Sequence, residues 1–119
     1  MQALGRHLLV DLYGCDRARL DDPDYIAAEL QAAAQAAGSR VLGTAFHRFN
    51  PGGVTGVLIV QESHLAVHTW PERGYAALDL FTCGHQTDPW AAYQRLKCAF
   101  GATRDNVAEV SRGLGAISG

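Results

Sequence analysis

The sequence predicts an α+β fold: a two-layer α/β sandwich in which a mostly antiparallel sheet carries two helices on one face. Three observations predict it. β-like runs outnumber helical ones, in the order strand, helix, three or four strands, helix, strand. Both helical segments open on an aspartate–proline pair, Asp22-Pro23 and Asp88-Pro89, and close at a glycine, Gly38 and Gly101. The middle β-runs are separated by short turn sequences, which suit antiparallel neighbours. With 119 residues the chain has the size of one domain, and residues 1–119 are read as a single unit.

Leu4 to Tyr13, with Leu8, Leu9, Val10 and Leu12, reads as the first strand. After Asp22-Pro23, the residues Ile26, Leu30, Ala33 and Ala37 recur every three or four positions and set one stripe of a helix against a core. Arg40 to Phe49 is the second strand candidate. Asn50-Pro51-Gly52-Gly53 is a turn, and Val54 to Gln61 is a strongly β-branched third strand. Gly56 within it points to a bulge or a close backbone approach. Leu65 to Trp70 and Tyr75 to Thr82 are the fourth and fifth strands, reversed by Pro71-Glu72-Arg73-Gly74. Tyr93, Leu96, Lys97 and Phe100 follow Asp88-Pro89 at helical spacing. A short last strand is expected around Asn106 to Val110, and the glycine-rich tail, Gly113 to Gly119, is expected to be loose.

Composition narrows the partners. The net charge is −2 and the lysines and arginines are scattered, so no nucleic acid is expected. No apolar run approaches the roughly 18 residues of a membrane span, and Met-Gln-Ala-Leu-Gly-Arg-His does not read as a signal peptide. Three widely spaced cysteines, Cys15, Cys83 and Cys98, fit a reducing compartment rather than a disulfide framework, so a cytoplasmic location is expected. Val54, Leu58 and Val60 alternate with Thr55, Val57 and Ile59, making the third strand apolar on both sides. One side faces the helices, and the other is expected to meet a second copy of the chain.

The chemistry concentrates between Gln61 and Gly84, in QESHLAVHTWPERGYAALDLFTCG. A lone turn serine is ordinarily inert. Ser63, however, lies between Glu62 and His64, where one strand reverses into the next. From a strained turn its hydroxyl could attack the Glu62 carbonyl, and elimination of the resulting ester would cut the chain and leave a pyruvoyl group. His64 and His68 lie four apart in a strand, roughly 13 Å, too far to share an ion, so no metal site is expected. His68 is either a strand histidine bonded to backbone or an acid–base group, and the second role needs Ser63 or Cys83 within reach. Cys83 is either a buried, inert thiol or a proton donor or nucleophile at a strand end. Glu72 and Arg73 sit in a turn where charge is normally solvated. Phe49 and Trp70 end strands beside turns, where an aromatic can join the core, stack on a ring or meet a cation.

The run ESHLAVHTWPERGYAALDLFTCG closely resembles the prokaryotic S-adenosylmethionine decarboxylase proenzymes, a pyruvoyl-dependent family. Gly5-Arg6-His7, Tyr13-Gly14-Cys15-Asp16, Phe46-His47-Arg48-Phe49 and the stretch from Pro51 to Gly56 extend the resemblance across about residues 4 to 100. It implies autocatalytic serinolysis between Glu62 and Ser63, giving a β chain of 1–62 and an α chain of 63–119 that begins with a pyruvoyl group. That group would be the only cofactor, a Schiff-base former needing neither metal nor pyridoxal phosphate. The resemblance further implies that His68 and Thr55, the latter where many members have serine, assist processing. Cys83 would return the proton to the decarboxylated carbon. Phe49 would stack on the adenine and Glu72 would bind the ribose hydroxyls, with Trp70 beside them as a third substrate-binding residue. Two processed αβ protomers would form a homodimer with active sites at their interface, Ser63 and Cys83 of one site coming from different subunits. The implied activity is decarboxylation of S-adenosylmethionine to the aminopropyl donor for spermidine. The same chemistry on ornithine or arginine, an unprocessed binding homologue, and a Cys83–His68 thiol enzyme are the alternatives.

Overall fold

In the computed structural model, which describes residues 2–116, six strands make one sheet. They are β1 (Gly5–Tyr13), β2 (Val41–Arg48), β3 (Val54–Val60), β4 (Ser63–Trp70), β5 (Tyr75–Cys83) and β6 (Arg104–Arg112). Their spatial order is β2-β3-β4-β5-β1-β6, and every neighbouring pair is antiparallel. Three helices, α1 (Arg17–Leu20), α2 (Pro23–Ala36) and α3 (Pro89–Phe100), complete the fold.

Period-two alternation sorts the strand residues between two faces. Leu8, Val10 and Leu12 of β1, Leu58 and Val60 of β3, Leu65 and Val67 of β4, and Leu78 and Leu80 of β5 are buried. They form one core with Ile26, Leu30, Ala33 and Ala34 of α2 and Ala92, Leu96 and Phe100 of α3. Each fully buried leucine contributes about 1.5–3 kcal/mol. Both long helices start as their caps dictate. Asp22 accepts from the amides of Asp24 and Tyr25, each at 3.1 Å, and Asp88 accepts from that of Trp90 at 3.0 Å, worth about 1 kcal/mol each.

Several expectations are refined. The one-turn α1 was not anticipated. It is capped by Asp16, which accepts from Ala18 N at 3.0 Å, with no proline to mark the start. β6 runs nine residues instead of a short segment. Gly56 marks a close approach: a Cβ there would fall 2.2 Å from a Phe46 ring carbon. The sheet's irregularity lies in β2, between Val41 and Gly43. The start of the expected loose tail is a turn, with Leu4 N donating to Gly113 O and Gly115 N to Gln2 O. Residues 117–119 lie outside the described residues. Among the described residues, no helix is long and apolar enough to cross a membrane.

The second sheet face has no helix over it. It presents Leu9 of β1, Ile59 of β3 and Val110 of β6, exposed by 43%, 55% and 40%. All the candidate chemistry lies on this open face or at its two ends.

Candidate active site

The β3–β4 reversal is held in a conformation that ordinary residues avoid. Glu62 has φ of 68°, the one non-glycine residue with positive φ among those described. The Ser63 hydroxyl donates to Glu62 O at 2.6 Å. Its Oγ also lies 3.1 Å from Cys83 Sγ, and the Cys83 thiol faces the same carbonyl oxygen at 3.5 Å. A hydroxyl, a thiol and one peptide carbonyl therefore converge at the start of β4 and the end of β5. A cleft of about 390 Å³ adjoins them, lined by Arg40, Gln61, Glu62, Cys83 and His85.

Cys83 is seated by glycine. Gly5 pairs with Cys83 across β1 and β5, and a Cβ on Gly5 would meet Phe81 Cε1 at 2.7 Å and Cys83 Sγ at 3.0 Å. Beside this pair, His7 Nε2 lies 3.1 Å from Asp79 Oδ1, and Arg112 faces His7 Nδ1 at 3.3 Å. The guanidinium only donates, so Nδ1 accepts and Nε2–H donates to Asp79.

The other candidates gather elsewhere. Thr55 and His68 are opposite one another in the β3–β4 register, with Thr55 Oγ1 3.0 Å from His68 Nδ1. His68 is five strand positions from Ser63, about 16 Å. Past it lies the far end of the sheet. Trp70 is 40% exposed and stacks on Tyr75 at 5.2 Å, which stacks on Tyr13 at 5.5 Å. Glu72 lies exposed in the 3-10 turn Pro71–Arg73. Phe49, 46% exposed, meets the His47 ring in a T-shaped arrangement, centroids 4.6 Å apart.

The structure thus brings together Glu62, Ser63 and Cys83 at one end of the sheet. It leaves Thr55, His68, Phe49, Trp70 and Glu72 toward the other. This corrects the expectation that Ser63 and Cys83 of one site belong to different subunits: they touch within one chain. The reason is register. Trp70 pairs with Tyr75, so stepping seven residues away from the turn on each strand, back along β4 and forward along β5, sets Ser63 opposite Thr82, beside Cys83. His68 has neither Ser63 nor Cys83 within reach in its own chain. Tyr13, His47, Tyr75, Gly5 and Phe81 were not anticipated as parts of these clusters. The β4–β5 hairpin register would have revealed Phe81 and Tyr75.

Comparison with known proteins identifies the family. A family model described as S-adenosylmethionine decarboxylase matches residues 6–113. The chain is 51% identical over 113 residues to the S-adenosylmethionine decarboxylase proenzyme of Thermotoga maritima, covering 95% of this chain and 87% of that one. It is 49% identical over 114 residues to the proenzyme of the same name from Acetivibrio thermocellus, covering 96% and 92%. The crystal structure of the adenosylmethionine decarboxylase from Aquifex aeolicus superimposes with a TM-score of 0.89 at 33% identity, covering 95% of this chain and 93% of that one.

Proposed function

The chain belongs to the S-adenosylmethionine decarboxylase family, and from that membership we propose a self-processing carboxy-lyase that decarboxylates S-adenosylmethionine with a pyruvoyl group made from Ser63. The observation that carries this is the 2.6 Å contact between the Ser63 hydroxyl and the Glu62 carbonyl oxygen, on a residue bent to positive φ. The residues present fit the group: its precursor hydroxyl already bonds to the oxygen of the carbonyl it would attack.

Processing is chemistry of the chain's own atoms. Ser63 Oγ bonds to the Glu62 carbonyl carbon, the Glu62–Ser63 C–N bond breaks, and the hydroxyl proton passes to the freed nitrogen, giving an ester and an amine. A base then removes the Ser63 α-proton. The Cβ–Oγ bond breaks and Glu62 leaves as a carboxylate. Water hydrolyses the resulting N-terminal enamine, in its imine form, to a ketone and releases ammonia. That pyruvoyl ketone supplies an electron sink for decarboxylation. Cys83 Sγ, 3.1 Å from Ser63 Oγ, holds the proton destined for the substrate's α-carbon after CO₂ leaves.

The remaining roles require a second copy. The Thr55–His68 pair lies about 16 Å from the Ser63 of its own chain, too far to take a proton there. Two open faces packed in opposite directions would bring the Thr55–His68 end of one protomer over the Ser63–Cys83 end of its partner. The exposed Leu9, Ile59 and Val110 on that face support such a homodimer. His68, oriented by Thr55, then serves as the base in processing. Phe49 and Trp70 offer ring faces to the adenine and the sulfonium, and Glu72 offers oxygens to the ribose hydroxyls. This set favours a nucleoside over ornithine or arginine. The free thiols of Cys15, Cys83 and Cys98 suit a reducing cytoplasm.

Intact-mass spectrometry joined to a substrate assay tests the proposal. Wild type is expected as two fragments, 1–62 and a 63–119 piece with a blocked N-terminus, while Ser63→Ala stays whole at 12.8 kDa. Labelled CO₂ is expected from S-adenosylmethionine and not from ornithine or arginine. Cleavage of Ser63→Ala, or a mature chain whose carbonyl borohydride cannot trap, overturns it.

A further inference from the structure

We infer that Asp21, which touches none of the proposed substrate-binding residues, is the positioning residue of the nucleoside end: it clamps the Phe49 loop in place beside the Trp70–Glu72 turn. The inference rests on the reading that Phe49, Trp70 and Glu72 contact substrate. The β3–β4 register ends at Thr55 opposite His68. Beyond that pair, side chains set the loop 49–53 and the residues 69–72 against one another.

Asp21 follows α1 and holds the loop side of this junction. Its Oδ2 accepts from Arg48 Nη2 at 2.7 Å, its Oδ1 from Gly53 N at 3.0 Å, and its backbone oxygen from Arg48 Nε at 3.3 Å. Arg48 and Gly53 flank the loop, whose base is closed by Phe49 N donating to Gly53 O at 2.8 Å. One carboxylate therefore grips both stems of the loop that carries Phe49. The Arg48 guanidinium, and after it the Gly53 amide, hold this carboxyl below the usual carboxylate range.

The neighbouring residue ties in the other segment. Leu20 O accepts from Thr69 Oγ1 at 2.7 Å, and that oxygen accepts from Val54 N at 2.8 Å. Gly53 lies so close that a Cβ on it would be 2.8 Å from Thr69 O. The dipeptide Leu20-Asp21 thus bonds to the residue before Trp70 and to both flanks of the loop bearing Phe49. Pre-organisation of this kind acts on binding, because a loose ring must be ordered again by each ligand.

The test uses the Ser63→Ala chain, which binds without turning over, and 5′-methylthioadenosine as probe, read by calorimetry. Asp21→Asn keeps an acceptor for Gly53 and loses the ion pair, and Asp21→Ala loses both. Each is expected to weaken binding roughly three- to tenfold, Asp21→Ala more. In the processing-competent background, KM for S-adenosylmethionine is expected to rise by a similar factor. Self-cleavage should stay within about twofold, because the bond cut lies at the opposite end of the sheet and the proposed base, His68, is held by the β3–β4 register and Thr55 and not by the Phe49 loop. Phe49→Ala is the control. If Phe49→Ala weakens binding and neither Asp21 variant does, the inference is wrong. If Phe49→Ala binds unchanged, the nucleoside reading itself fails and takes the inference with it. If Asp21→Asn slows cleavage and lowers the melting temperature along with binding, Asp21 is merely structural and the inference is equally overturned.

Discussion

A methyl group on Gly5 should uncouple the Cys83 thiol from the proton transfer proposed for it. An ideal Cβ there would stand 2.7 Å from Phe81 Cε1, 2.9 Å from Thr82 O and 3.0 Å from Cys83 Sγ, where ordinary contact begins near 3.4 Å. The ring must therefore retreat by about 0.7 Å and the sulfur by about 0.4 Å. Thr82 O cannot follow, since it belongs to the backbone of β5 paired with β1. Overpacking of this kind costs about 1–3 kcal/mol, which lowers the melting temperature by about 4–12 °C in a chain of this size. Gly43→Ala is the matched control, because its Cβ would meet only Ile59, at 3.8 Å, and a cost under about 0.5 kcal/mol is expected. Thermal unfolding by circular dichroism reads the first effect. The second is read by mass spectrometry, as turnovers completed per α chain whose ketone has been converted to an amine. A displaced thiol misses the substrate α-carbon, so this ratio should fall by about tenfold or more in Gly5→Ala. A Gly5→Ala protein that melts and partitions like Gly43→Ala would refute both the packing argument and the role given to the thiol.

Two further outcomes are expected. Co-expressed Cys83→Ala and Glu72→Ala chains, each inactive alone, should regain about a quarter of wild-type activity, because half the random dimers are mixed and each holds one intact site. No recovery would mean that Cys83 and Glu72 serve the same site from one chain. Alkali should also weaken the fold. Burial raises the Cys15 thiol from 9.0 to about 11; burial, and then the hydrogen bond to Asp11, raise the Tyr75 hydroxyl from 10.0 to about 12. Both groups are held neutral, so their contribution is complete below about pH 9 and is lost as pH rises through these ranges. Urea midpoints measured from pH 8 to 11 should decline, and Cys15→Ala should flatten the part between about 9 and 11.

The helices and inner strands were legible because each announces itself locally. Asp22 and Asp88 cap, Pro23 and Pro89 follow, and Gly38 and Gly101 take the left-handed backbone past the last turn. α1 was not, since Asp16 is followed by a polar Arg-Ala-Arg too short for a period. β6 was underestimated because an edge strand that opens Arg-Asp-Asn and stays largely exposed has little alternation to detect. Ser63 and Cys83 could be singled out in the sequence, but their contact is a matter of hairpin register. The sorting of residues to opposite ends of the sheet follows from the same pairing. Asp21 gave no signal at all: its partners Arg48 and Gly53 lie about thirty residues away, and only the folded chain joins them.

The strand order has a consequence for the proposed cut in the backbone. Breaking the link before Ser63 would leave β1, β2 and β3 on one product and β4, β5 and β6 on the other. These do not form two blocks. β1 is threaded between β5 and β6, while β3 borders β4, and α2 of the first product lies against α3 of the second. Pulling the halves apart would mean unzipping three ladders and tearing the core in two. The nick can therefore free a new terminus for chemistry while the woven body around it stays whole.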